Sequence, residues 1–139
     1  MLDAQGQILG RLASRITPVL MGKTKPYFVR NLDCGDHVVV INAKQVELTG
    51  HKKEEKKYYS YSGYPSGLKI KSFLQLQEKA PEKIIIHAVE NMLPKNKLRD
   101  LWLKKLHVFA EETHPYKDKF VSKEKVVKRL TKEVKNGKS

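Results

Sequence analysis

The feature that most constrains the fold is an unbroken run of β-branched residues, Val38, Val39, Val40 and Ile41. An alternating pattern indicates a strand with one face in water, whereas a continuous apolar run favours a strand buried on both faces. Such strands are typical of parallel sheets that carry helices on each side. We therefore predict a strand over 37–43 inside an α/β fold. A chain of 139 residues is too short for two cores, so we expect one domain.

Helices are predicted wherever apolar residues recur at steps of three and four. The first is expected over 7–22, where Pro18 should kink or shorten the last turn and Gly22 should end it. The other predicted helices run from an N-cap at Ser72 to Lys79, from Pro81 to Leu93, and over 96–105. Further strands are predicted over 45–49, 58–61 and 106–110, with a turn over 63–67.

The charge of the chain points to a polyanionic partner. It has 28 Lys or Arg and 15 Asp or Glu, a formal net charge of +13. Such an excess destabilises the compact state by self-repulsion unless a polyanion neutralises it. Nucleic acid and anionic membrane are the candidates, and the charge pattern favours nucleic acid. No apolar run approaches the ~20 residues of a membrane span. The N-terminus shows no secretory signal, and a transit peptide removed before residue 1 stays open.

The motifs of common enzymes and metal sites are not recognisable. GKT at 22–24 resembles the end of a P-loop, but Thr17 stands where the first glycine is needed, and a predicted helix precedes it. Cys34, the only cysteine, cannot form an internal disulfide, and the five histidines lack the close spacings of zinc motifs. A metal site assembled from distant parts of the chain stays open. Asp33 and Asp36 are interpreted as turn residues. We expect no enzyme activity, no cofactor and no small-molecule substrate.

Lysines and tyrosines are interleaved in the middle of the chain. Lysines within 52–57 precede tyrosines within 58–64, and two more lysines follow within 69–71. Lysine can contact phosphates, and tyrosine can stack on exposed bases at ~1–3 kcal/mol each. Glu54 and Glu55 interrupt the basic run, and the tyrosines could instead pack inward in a solvated hairpin. Alone, this pattern predicts polyanion binding and nothing finer.

The composition changes after residue 116. Residues 117–139 contain nine Lys or Arg and three acids. Val126, Val127, Leu130 and Val134 have helical spacing, with lysines mainly on the opposite face. We predict a basic amphipathic helix outside the main domain. Packing of its apolar side against the domain is the alternative to a role in binding.

Four blocks of this sequence resemble the universal large-subunit ribosomal protein 13 family. They are LDAQGQILGRLAS at 2–14, DCGDHVVVINA at 33–43, VELTG at 46–50 with YYSYSGYPSGLK at 58–69, and MLPKNKL at 92–98. LKKLHVF at 103–109 continues the similarity, which spans nearly all of 2–116 in the order and spacing of the family. The resemblance implies a three-layer α/β/α sandwich around a small, mainly parallel sheet, with a domain at 1–116 and a basic extension at 117–139.

The resemblance also implies a function. It predicts a structural constituent of the large ribosomal subunit that binds large-subunit rRNA, contacts neighbouring ribosomal proteins and supports subunit assembly and translation. An extraribosomal RNA-binding regulator of translation is the alternative. Charge and loop position, together with the resemblance, predict RNA contacts at Arg11, Lys23 and Lys25, at Lys52, Lys53, Ser62, Gly63, Tyr64, Gly67 and Lys69, at Lys95, Asn96, Lys97, Lys104 and Lys105, and at His114.

Several positions depart from the pattern of the family. Only Leu2 and Asp3 stand where the family usually has a longer first strand, so we expect a short one. Asn91 replaces the glycine that usually precedes Met-Leu-Pro, and an Arg-Asp pair at 99–100 replaces Gly-Arg, which puts the RNA contact there in doubt. HPYKDKF at 114–120, the basic tail and DCGDHVVV favour a mitochondrial ribosome in the matrix, with the bacterial cytoplasm as the alternative.

Overall fold

The computed structural model describes residues 1–116, which contain five helices and five strands. In chain order they are β1 (Leu2–Asp3), α1 (Leu9–Met21), β2 (Val38–Ile41), α2 (Lys52–Glu55), β3 (Lys57–Tyr61), β4 (Leu68–Ser72), α3 (Phe73–Lys79), α4 (Pro81–Met92), α5 (Arg99–Lys104) and β5 (Leu106–Val108), with a 3-10 turn at Ala43–Gln45. The predicted extension at 117–139 lies outside the described residues.

β2 lies at the centre of a three-stranded parallel sheet, between β1 and β5. All four of its residues are buried, which confirms the prediction from the β-branched run. Val38 and Val40 belong to the main core cluster, whereas Val39 and Ile41 are buried outside that cluster. β1 has two residues, a short strand as expected.

α1 covers the sheet with its apolar side, because Leu12, Ile16 and Leu20 are fully buried in the core. The helix continues to Met21, so Pro18 does not end it early. Gly22 ends it as predicted, with a left-handed φ of 77° and its N–H directed at the carbonyls of the last turn.

α3 and α4 complete the core around α1. Ser72 caps α3 as predicted: its hydroxyl accepts from the Gln75 N–H at 3.3 Å, and the Gln75 side chain accepts from the Ser72 N–H at 3.2 Å. α4 begins at Pro81, also as predicted, and packs against α1 through fully buried residues such as Ile84 and Val89.

Several predicted elements differ from the structure. The strand predicted over 45–49 is wrong, because Asn42 adopts a left-handed φ of 59°, Ala43–Gln45 form a 3-10 turn, and the segment joins neither sheet. Only an isolated parallel bridge between Ile8 and Glu47 remains there. β4 was not predicted at all, and α5 is shorter than the predicted helix over 96–105. The described residues form a mixed α/β fold with a small parallel sheet and a separate antiparallel hairpin.

Candidate nucleic-acid interface

The hairpin of β3 and β4 presents an apolar face to solvent. Its register pairs Tyr59 with Ile70 and Tyr61 with Leu68, so these four side chains share one face. Between 53% and 67% of each residue is exposed. We call these four residues the hairpin surface. An exposed apolar patch of this kind marks a surface that contacts another molecule.

Tyr58 lies on the opposite face of the hairpin and turns toward the domain. Its ring meets the His87 ring of α4 edge-on, with the centroids 5.4 Å apart. Lys56 Nζ lies 5.5 Å from the centroid of the Tyr58 ring, a cation–π contact. Burial raises the pKa of the Tyr58 hydroxyl above its ordinary value. The tyrosines therefore divide: Tyr58 packs inward, and the others point outward.

The turn between the two strands holds four of the predicted RNA-facing residues. Gly63 has a φ of 86°, in the left-handed region that favours glycine. The Gly67 N–H donates to the Tyr64 carbonyl at 2.9 Å. A Cβ at Gly67 would lie 2.1 Å from the Ser62 hydroxyl oxygen, so a side chain there would displace Ser62. The turn therefore holds Tyr64 in the open, with 75% of its surface exposed.

Six lysines surround the hairpin without a carboxylate partner among residues 1–116. They are Lys52, Lys53, Lys56, Lys57, Lys69 and Lys71, and all but the half-buried Lys56 are exposed. The ion pairs in the described part of the chain lie elsewhere: Lys25–Asp36, Lys44–Glu111, Arg99–Glu90 and Lys105–Asp33. Because no acid of residues 1–116 forms an ion pair with the hairpin lysines, their charge is available to phosphates.

Lys105, a predicted RNA contact, is engaged within the fold. Its Nζ lies 2.7 Å from Asp33 Oδ2 and donates to the Gly35 carbonyl at 3.0 Å. Asp33 also accepts from the Gly35 N–H at 3.2 Å, which confirms its interpretation as a turn residue. Burial alone would raise the pKa of Asp33, but the hydrogen bonds from Lys105 and Gly35 outweigh it and hold that pKa below its ordinary value.

Lys25 is engaged in the same loop. Its Nζ pairs with the Asp36 carboxylate and donates to the Cys34 carbonyl at 2.9 Å. The hydrogen bond with Asp36 raises the pKa of Lys25 above its ordinary value. Both lysines tie the segment after α1 to the domain, and their contact with RNA stays a prediction.

A second basic region lies around the Met-Leu-Pro motif. Lys23 and Asn96, both predicted, line one groove of about 530 Å³ together with Arg30, Pro94 and Trp102. Arg30 was missed by the sequence analysis, although its place in a basic stretch after α1 was a usable signal. The predicted lysines on either side of Asn96, at 95 and 97, are exposed in the same loop.

The remaining predicted residues do not line this groove or belong to the hairpin. Arg11 is exposed on α1, and Lys104 is exposed at the end of α5. His114 is half-buried, with its ring centroid 5.8 Å from that of Phe109 and its Nδ1 accepting from the Tyr116 N–H. The structure therefore gathers eleven of the predicted residues into two regions and leaves five apart: Arg11, Lys25, Lys104, Lys105 and His114.

Metal-binding clusters and membrane-spanning helices are both absent from the described part of the chain. Within residues 1–116, no three His, Cys, Asp or Glu side chains are placed to hold a metal ion together. The helices of that range are also too short and too polar to cross a membrane.

Comparison with known proteins identifies similar chains. The family model described as Ribosomal protein L13 matches residues 1–115. The chain is 53% identical over 115 residues to a protein of Pseudothermotoga lettingae, which covers 83% of this chain and 78% of that protein. It is 50% identical over 115 residues to proteins of Geobacillus kaustophilus and Aquifex aeolicus, covering 79% and 80% of them. All three carry the name large ribosomal subunit protein uL13.

Proposed function

Because the chain belongs to the ribosomal protein L13 family, we propose that it is a structural constituent of the large ribosomal subunit. In this role it binds large-subunit rRNA, contacts neighbouring ribosomal proteins and supports subunit assembly and translation, with no catalytic step of its own. The observation that carries the proposal is the hairpin, where exposed tyrosines stand among lysines that no acid of residues 1–116 neutralises.

The hairpin supplies two kinds of interaction with RNA. Its lysines bind phosphates, and the release of condensed counterions drives this part of the affinity. Tyr59, Tyr61 and Tyr64 offer ring faces on which unpaired bases can stack. The β3–β4 ladder holds the backbone of the hairpin, so the ordering cost of binding falls mainly on the exposed side chains.

We retain all of the sequence-predicted RNA-binding residues in this proposal, with different weights. The turn residues and the lysines around the hairpin have the strongest support. Lys23, Asn96 and the exposed lysines beside Asn96 come next, through the groove at Pro94. Lys25 and Lys105 have the weakest support, since each already has an acidic partner.

The finer architecture also belongs to this proposal. We infer a three-layer α/β/α arrangement for the domain at 1–116 and a basic helix at 117–139 that binds further phosphates. Nine cationic residues against three acids in that extension support its role in binding. The relatives compared above are bacterial and so favour the bacterial cytoplasm, the alternative expected from the sequence, over the mitochondrial matrix.

The salt dependence of RNA binding tests the proposal. The full chain is titrated with large-subunit rRNA fragments at several salt concentrations, and we expect log K to fall linearly with log salt. Replacing Lys69 and Lys71 with glutamine should lower the slope by about one for each phosphate that the protein no longer neutralises. Replacing Lys79 and Lys83, exposed lysines outside the hairpin, with glutamine is the matched control for the same charge change. Binding that does not vary with salt contradicts the proposal.

Sucrose-gradient fractionation separates the two candidate roles. A ribosomal constituent sediments with large subunits, whereas an extraribosomal regulator stays in the light fractions. Recovery of the native protein only from light fractions would therefore overturn the structural role and favour the regulator.

A further inference from the structure

A groove of about 530 Å³ opens between α2, β3, α4 and the start of α1. We call it the hairpin groove. Its floor is apolar, formed by Leu9, Leu48, Ala88 and Met92. This volume lies within the range of sites that enclose small ligands, of roughly 300–1,000 Å³.

The rim of the hairpin groove is positively charged. Lys52, Lys56 and Lys57 line it, and no Asp or Glu is among the residues that do so. Glu54 and Glu55 belong to the same short helix as Lys52 but do not line the groove. Three of the four lysines at 52–57 thus line the groove, whereas Lys53 and both glutamates do not. This charge favours an anionic occupant and disfavours an apolar peptide.

One wall of the hairpin groove carries hydrogen-bonding groups. Asn91 and His87 lie one turn apart on α4, and the Asn91 amide donates to His87 Nδ1 at 3.2 Å. Within residues 1–116, the other amide hydrogen and the carbonyl oxygen of Asn91 stay available. An amide that both donates and accepts matches the edge of a nucleobase. The hydroxyl of Tyr58, in the adjoining wall, is buried and has no hydrogen-bond partner within residues 1–116.

We propose that the hairpin groove binds one unpaired nucleotide of RNA. The base lies on the apolar floor with its edge toward Asn91, and the flanking phosphates contact the three lysines. A base inside a duplex is stacked and paired and cannot enter, so the groove selects single-stranded or bulged RNA. This inference rests on the proposed RNA-binding function and specifies which kind of RNA element the hairpin side of the domain takes.

Titration of the isotope-labelled full chain with short RNA, followed by NMR, tests the inference. The probes are single-stranded tetranucleotides, a blunt duplex of the same composition, and adenosine monophosphate. We expect the single strands, but not the duplex, to shift the side-chain amide of Asn91 and the backbone amide of Gly10, which also lines the groove. The mononucleotide should bind more weakly, since it lacks the flanking phosphates.

Two variants locate the site. Ala88→Phe fills the groove from the half-buried surface of α4 and should weaken tetranucleotide binding about tenfold, the equivalent of removing one base from its stacking surface. Ala88→Ser leaves the groove open and is the matched control. Asn91→Ala, at an exposed helical position, should change the preference among the four bases without unfolding the domain.

Three results would overturn the inference. The first is tetranucleotide binding that neither Ala88→Phe nor Asn91→Ala affects. The second is equal perturbation of the groove by the duplex. The third is tighter binding of the mononucleotide, which would make the groove a site for free nucleotides. In each case salt-dependent binding of rRNA fragments by the same preparations would leave the proposed function standing, and its loss would remove that function as well.

Discussion

The two sheets within residues 1–116 differ in how deeply their side chains are buried. In the parallel sheet, all four residues of β2 are buried. In the hairpin, the residues of β3 and β4 are almost all exposed, including four large apolar ones. A two-stranded hairpin is marginally stable by itself, so it depends on the domain to which it is attached. The parallel sheet and its helices therefore supply the stability, and the hairpin uses it to display a binding surface.

Charge follows the same division. Around the parallel sheet, cations are paired with acids, as in Lys105 with Asp33 and Lys44 with Glu111. Around the hairpin, no lysine has an acidic partner within residues 1–116. Part of the positive excess of residues 1–116 is thus placed on the hairpin, away from the core. We infer that these lysines serve binding, and the predictions below test this division between the two regions.

The largest expected effect is on the core. Ile84→Ala removes a fully buried side chain of α4 and should lower the free energy of unfolding by about 2–5 kcal/mol. Ile70→Ala, the matched change on the hairpin surface, should lower it by less than about 1 kcal/mol, because that side chain is half exposed. Urea denaturation measures both. Equal losses of stability would show that the hairpin surface stabilises the fold as much as the core does, which would contradict the proposed division between the two regions.

The second largest effect is on RNA binding, and it is expected in the hairpin rather than in the core. Tyr61→Ala should weaken rRNA-fragment binding by ~1–3 kcal/mol, since one stacking surface is removed. Its free energy of unfolding should stay within about 0.5 kcal/mol of wild type. Tyr27→Ala is the control, because Tyr27 is exposed to a similar degree but lies outside the hairpin. Fluorescence anisotropy at fixed salt gives the affinities. A loss with Tyr27→Ala equal to that with Tyr61→Ala would argue against a localised surface.

Features that depend on neighbouring residues were predictable from the sequence. The buried strand at 38–41, the end of α1 at Gly22 and the N-cap at Ser72 are all local patterns, and the structure contains each of them. The turn over 63–67 was equally predictable, because Gly63 adopts a left-handed φ that favours glycine and Gly67 has no room for a Cβ. The four residues of this turn that were predicted to face RNA therefore lie close together in the structure.

Features that depend on distant partners were not predictable. The alternation over 45–49 reflects burial of Val46 and Leu48, but the segment lacks a neighbouring strand, and no local pattern reveals that. Likewise, Lys25 and Lys23 look alike in the sequence. Only the fold brings Asp36 to Lys25 and leaves Lys23 in the groove at Pro94.

The third prediction concerns the junction between the two regions. Ser72 is the last residue of β4 and the cap of α3, so it joins the hairpin to the core. Ser72→Ala should lower the free energy of unfolding by about 1 kcal/mol through loss of the capping box. Ser60→Ala, an exposed serine of β3 without a capping role, should change it little. Urea denaturation compares them, and equal effects would mean that the cap does not stabilise the junction.

The smallest expected effect comes from removing the charge of Asp33. It tests whether the ion pairs around the parallel sheet stabilise the fold. The pKa of Asp33 is lower in the folded chain than in the unfolded chain. Its carboxylate therefore stabilises the fold at pH values above the unfolded pKa, and this contribution is lost as the pH falls through the folded pKa. The pair with Lys105 is partly exposed, so we expect at most about 1 kcal/mol.

Urea denaturation of the wild type and Asp33→Asn at pH 6, 4 and 3 measures this contribution. The wild type should be the more stable at pH 6, and the difference should shrink toward pH 3, because the carboxylate becomes protonated. Glu112→Gln, a change at an exposed acid outside any ion pair of residues 1–116, is the control. If the difference in free energy of unfolding does not vary with pH, the ion pair between Asp33 and Lys105 does not stabilise the fold. The charge of Lys105 would then be as available to RNA as the charges of the hairpin lysines. The two regions would no longer differ in whether their cations are held by acids.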